Sequence, residues 1–174
     1  MGNKRMWNWG LGLALFFLSL EAWSDAMLLD QSPGKPRLVV LSDIGNEPDD
    51  QMSLVRLLLY ANELDIEGLV ATTSTWQRDK TQPEIMQRIV RAYAEVLPTL
   101  RQHADGWIDP RKLAASVVSG TPQYGLEGVS QSGLSSGAEL ILRRLEAPDP
   151  RPLWISIWGG RTRLMKRYSM PNAI

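Results

Sequence analysis

Nine consecutive residues carry most of the chemistry this chain can offer. From Ser42 to Asp50 the sequence reads Ser-Asp-Ile-Gly-Asn-Glu-Pro-Asp-Asp, with carboxylates at Asp43, Glu47, Asp49 and Asp50. Carboxylates that converge on one point either hold a hard cation through oxygen or move protons at a reacting bond. Gly45 permits a tight backbone turn, which lets Asp43 and the Asp49-Asp50 pair face a common point. Several hard oxygens meeting there suit Ca²⁺ or Mg²⁺, and calcium tolerates an irregular, carboxylate-rich shell better. The same acids equally suit the positive end of a helix dipole, where they need no ligand. With no cysteine in the chain, a thiolate metal site and a cysteine nucleophile are both excluded. The single histidine, His103, sits in a turn-like region and reads as a surface or capping residue.

The elements around this cluster follow from periodicity. Arg37–Ser42 (RLVVLS) is a continuous β-branched and leucine run, the pattern of a strand buried on both faces. Residues 46–50 look like a helix start, with Pro48 in the first turn and acids near the dipole's positive end, and residues 51–62 continue the helix. A second apolar strand spans residues 66–73. Pro83 opens a helix on which Ile85, Ile89, Tyr93 and either Val96 or Leu97 share a face. A short helix is expected from Asp109-Pro110 to Val118. Residues 119–137, rich in glycine and serine, form either a lid or a flexible linker. Ser136–Leu145 is again helical, and residues 153–158 (LWISIW) are a third strand ending at Gly159-Gly160.

This alternation predicts an α/β, Rossmann-like domain with a mainly parallel sheet and right-handed crossovers. Ligand sites in such sheets lie outside the carboxyl ends of the strands, where the acidic loop falls. Trp76, at the end of the second strand, is the expected sugar contact, with Thr75 beside it. Trp154 and Trp158 share one face of the third strand with Ser156 and read as core.

A length of 174 residues allows one ordinary domain. Nineteen basic and nineteen acidic side chains give no net charge, which argues against a nucleic-acid binder. Asn3-Lys4-Arg5 and the twelve apolar residues 9–20 are followed by Ala22-Trp23-Ser24, the layout of a signal peptide cleaved after Ser24, with Ala26 as the alternative. Twelve apolar residues are too few to span a bilayer. A periplasmic or secreted protein with no stable membrane anchor after cleavage is therefore expected. Residues 25–36 are a polar lead-in.

The stretches LVVLSDIGNEPDDQMSLVRLL, IEGLVATTSTW and PLWISIWGG resemble the nucleoside hydrolase-like domain of exported bacterial proteins described as cellulose-binding. The resemblance covers residues 37–160. Its acidic motif is similar to the Asp-x-Asp-x-Gly-x-Asp-Asp pattern of ribonucleoside hydrolases, stretched by two residues and with Ser42 in the first aspartate's place. It implies that Asp43 is a calcium ligand and general base, that Asp50 is a metal ligand, and that Asp49 contacts ribose-like hydroxyls and the metal. The asparagine those enzymes place after the second strand falls near Thr75 here. Two function classes follow: calcium-assisted hydrolysis of an N- or O-glycosidic bond in a sugar or nucleoside-like molecule, or non-catalytic binding of a polysaccharide such as a cellulose-type glycan.

Residues 161–174 break the pattern. They hold four basic residues and no acid, whereas residues 25–160 hold thirteen basic against eighteen acidic, a net of −5. The resemblance implies a continuation like Asn-Thr-Leu-x-x-Ala-Leu after Gly160. Regrouping the tail's codons one base earlier allows asparagine or aspartate, then threonine, leucine, a variable residue, glutamate, alanine, leucine and phenylalanine. The expectation is a frameshifted tail on an incomplete domain that lacks a late calcium-binding aspartate and is therefore inactive. Resequencing the coding DNA beyond Gly160 should recover that motif and an open frame with further strands. A confirmed stop with no open frame beyond it would refute the shift.

Overall fold

The computed structural model describes residues 34–130 and 133–159. The expected signal peptide, most of the lead-in, and the tail from Gly160 onward lie outside the described residues. In chain order the elements are β1 (Arg37–Ser42), α1 (Pro48–Leu58), β2 (Asp65–Ala71), α2 (Pro83–Leu100), α3 (Pro110–Ala115), β3 (Val117–Ser119), α4 (Leu126–Ser130), α5 (Ser136–Leu145) and β4 (Leu153–Ile157). The strands form one parallel sheet in the order β3-β2-β1-β4. The α/β reading and the parallel sheet both hold.

Alternation along β1 divides the core. Val40 joins Leu54 and Leu58 of α1, Ile85, Met86, Val90, Tyr93 and Leu97 of α2, and Leu113 of α3 on one face. Val39 and Leu41 point the other way, onto Leu140 and Ile141 of α5. Leu97, not Val96, completes the buried face of α2, since Val96 is exposed. Two expectations fail. The segment ending at Val118 is not helical throughout, because Val117–Ser119 pairs with Leu69, Val70 and Ala71 as β3. Trp154 is not core but 55% exposed, while Trp158 packs partly against the α1–α2 side. His103 is exposed.

The amino ends of the strands are tied by ions. The β1–β2 register jumps between Leu38 and Val39, pairing Leu38 with Ile66 and Val39 with Gly68, so Glu67 drops out of the ladder. Its carboxylate meets Arg37, which is 3% exposed, through Nε to Oε1 at 2.6 Å and Nη2 to Oε2 at 3.1 Å. Arg37 also donates to the carbonyls of Arg144 (2.7 Å) and Arg151 (3.1 Å), joining α5 and the start of β4 to the sheet. Arg151 in turn bridges Asp65 and Asp149, and its guanidinium holds the Asp149 carboxyl down to about 2. Removing one partner from a buried pair strands the other charge. Glu67→Ala should therefore lose roughly 3 kcal/mol in urea unfolding. The double change Arg37→Met with Glu67→Leu should lose less, and an equal or larger loss would refute this account.

Candidate functional site

At the opposite end of the sheet three strands close around Asp43. β1 stops at Ser42, and a short loop leads to α1. Gly45 turns that loop with φ of +99°, and any Cβ there would run into the Gln82 amide and approach Ile85 Cδ1 at 2.6 Å. β4 rises beside β1 and finishes with Trp158 N donating to Leu41 O at 2.8 Å. Gly159 then lies directly against the Asp43 side chain. A Cβ on Gly159 would overlap Asp43 Oδ1 and sit 2.5 Å from its Cγ. From β2, Thr72 N donates to Ser42 O at 2.8 Å and Thr72 Oγ1 to Gly159 O at 2.9 Å. The chain crosses from the β3 side of β1 to its β4 side at this point, so Asp43 sits where the strand order reverses.

The charges here oppose one another. Asp50, half-buried in the first turn of α1, interacts with Asp43 and Ser42. Burial pushes its carboxyl up to about 6, and the carboxylates of Asp43 and Asp49 add to the rise. The Ser42 hydroxyl works the other way and favours the ionised form. Ser42 is wholly buried, and its Oγ has no partner at full hydrogen-bonding distance. Two neighbouring carboxyl groups and an unsatisfied hydroxyl are the kind of donor set that a hard cation or a ligand hydroxyl completes. Among the described residues, no group of three or more His, Cys, Asp or Glu side chains is arranged to hold a metal ion.

The structure brings Asp43 and Asp50 together and leaves Asp49 exposed on the first turn of the helix. Successive helical residues point about 100° apart, so Asp49 and Asp50 do not share a face. Thr75 and Trp76 are both exposed on the loop after β2. Sequence reasoning missed Gln77. Its side chain is buried and donates from Nε2 to Asp43 O at 3.3 Å, fastening the loop after β2 to the acidic loop. It also missed Tyr124, whose hydroxyl receives a hydrogen bond from Thr75 Oγ1 at 3.1 Å. Partners 34 and 49 residues apart leave no local pattern to read.

A family model described as "Cellulose-binding Sde182, nucleoside hydrolase-like domain" matches residues 37–168. The chain belongs to this family. The match carries eight residues past Gly160, into the basic tail. A solved structure from Saccharophagus degradans is 34% identical, with a TM-score of 0.74. It is described as a nucleoside hydrolase-related hypothetical protein associated with carbohydrate metabolism. That similarity covers 80% of this chain and 35% of the other, so the nucleoside hydrolase-like domain seen here spans about a third of that relative. No curated protein matches.

Asp50 makes stability depend on pH. Below its ordinary value of 3.8 it is protonated in both folded and unfolded chains. Between there and about 6 only the folded chain keeps the proton, so the stabilisation is present in acid and lost as pH rises through about 6. Asp50→Asn, permanently neutral, should match the wild type near pH 4 and melt a few degrees higher at pH 7.5. An equal shift at both pH values would show that Asp50 holds no proton in this window.

Proposed function

We propose that this chain carries the Asp43–Asp50 part of an exported, carbohydrate-active protein that takes a sugar-bearing ligand there and hydrolyses its N- or O-glycosidic bond. The observation that carries this reading is the meeting of Asp43 and Asp50 at the reversal of strand order, beside the unsatisfied Ser42 hydroxyl. Glycosidic cleavage passes through an oxocarbenium-like state and is helped by a carboxylate that takes a proton from the attacking water. Asp43 is that base, held in place by Gly159 and by the strand-end hydrogen bonds of Thr72. Without a cation Asp50 keeps a proton to about pH 6. Asp49, exposed on the rim, would meet ligand hydroxyls. The ionised Asp43 and Asp50 would hold calcium, which displaces the proton of Asp50 and would supply orientation and polarisation of the water. Export rests on the basic start and the short apolar run of residues 3–20.

A second reading, glycan binding without turnover, is favoured by the lack of a third converging carboxylate among the described residues. The family's description as cellulose-binding points the same way.

The two separate in one experiment. Wild type and Asp43→Asn, both with the reading frame restored beyond Gly160, are assayed on p-nitrophenyl β-D-riboside and β-D-glucoside, with calcium and with chelator, alongside calorimetric binding of cellobiose. Hydrolysis predicts wild-type turnover that falls at least about 100-fold in Asp43→Asn, with a much smaller loss of sugar affinity. Calcium should also raise the melting temperature of the wild type and not that of the variant. Binding without turnover in the wild type overturns the hydrolase and leaves the binding module.

A further inference from the structure

Trp76 is 77% exposed, more than any other described tryptophan. A single apolar side chain in water is common and by itself marks nothing, so what matters is how the loop that carries it is held. This loop is not loose. Ser74 Oγ accepts hydrogen bonds from Trp76 N at 3.1 Å and Gln77 N at 3.2 Å, and Ser74 N donates to Gln77 O at 2.9 Å. Gln77 is the buried anchor on Asp43, so the exposed indole is one residue from a side chain fastened to the floor of the carboxylate site.

The loop after β3 braces it from the other side. Tyr124 N donates to Arg78 O at 3.0 Å, Thr75 Oγ1 donates to the Tyr124 hydroxyl, and the Arg78 guanidinium lies 5.0 Å from the centre of the Tyr124 ring. The tip of the loop thus presents an apolar plane, Trp76, flanked in sequence and by hydrogen bonding with two hydroxyls and a cationic donor. A pyranose has matching parts. Its C–H face carries slight positive charge and suits the negative face of an aromatic ring, and its hydroxyls project around the rim. In a β-linked glucan all the ring hydroxyls are equatorial, so both faces of each sugar are flat and apolar.

We propose that residues 74–78, braced by Tyr124, form a platform for a second sugar ring next to the Asp43–Asp50 site. The ligand is then a β-linked gluco-oligosaccharide lying across both, and not a lone nucleoside. This rests on the carbohydrate reading of the carboxylate site and adds the ligand's length and the surface that reads it.

The test is calorimetric titration of the full chain, as wild type, Trp76→Ala, Trp76→Phe and Asp43→Asn, with methyl β-D-glucoside, cellohexaose and adenosine. The platform predicts that the wild type binds cellohexaose about tenfold more tightly than the one-ring glucoside. Trp76→Ala should remove that gain and leave the affinity for the one-ring glucoside unchanged, and Trp76→Phe should keep most of it. Asp43→Asn should weaken both sugars. If Trp76→Ala leaves cellohexaose unaffected while Asp43→Asn weakens it, the platform is wrong and the carboxylate reading stands. Adenosine binding that depends on Trp76, with no gain from longer glucans, overturns the platform in favour of base stacking. No sugar binding by the wild type overturns both.

Discussion

Asp43 occupies the space that any side chain on Gly159 would need. The arrangement of the carboxyl-end site depends on that contact. It exists because β4 adds to the sheet on the far side of β1 from β2, so the chain returns across the top of β1 and brings its glycine down onto the aspartate. With a Cβ at position 159, either β4 would stand off from β1 or Asp43 would rotate away from Asp50. The hydrogen bonds of Trp158 N to Leu41 O and of Thr72 Oγ1 to Gly159 O resist the first escape. The acid pair is thus a consequence of strand order as much as of the acidic sequence that supplies it.

The two ends of the sheet treat charge in opposite ways. At the amino ends, Arg37, Arg151, Arg144 and Lys112 pair with Glu67, Asp65 and Asp149, and the guanidinium nitrogens of Arg37 and Arg151 find acceptors. At the carboxyl ends like charges are pressed together, and the buried Ser42 hydroxyl has only a weak contact with Asp50. Buried charge stabilises only when it is matched, and the unmatched arrangement is tolerable where a ligand can match it. The ionic clamp also joins β1, β2, α5 and β4 across long stretches of chain. It holds the strand ends together at the bottom while repulsion acts at the top.

Much of this was legible in the sequence, and the exceptions have physical causes. Arg37–Ser42 and Ser136–Leu145 match their expected bounds, because a run buried on both faces and a serine-capped amphipathic helix are strong local signals. β3 was hidden because three residues are too few to show a period, and they follow a helix directly. Trp154 read as core from alternation, but alternation says which face a residue takes and not whether anything packs on that face. The acidic loop was evident from composition. That Asp50 turns toward Asp43 and Asp49 does not follows from the phase of α1, which no residue type announces. The roles of Gln77 and Tyr124 are properties of the folded chain alone.

Gln77 shows how such a contact fixes a site without touching its carboxylates. A glutamine amide can be flipped, and only its partners decide which end is the donor. Here Gln82 Nε2 donates to Gln77 Oε1 at 2.6 Å, which leaves Gln77 Nε2 to donate toward Asp43 O and Thr72 O. Gln82 is itself confined against Gly45, where there is no room for a Cβ. The run from Gly45 through Gln82 and Gln77 to the backbone of Asp43 is therefore closed, with each amide oriented by the one before. It ties the turn of the acidic loop to the loop that carries Thr75 and Trp76. The carboxylates and the exposed indole consequently belong to one rigid surface, which is what recognition of an extended ligand requires of two loops that are separated in sequence.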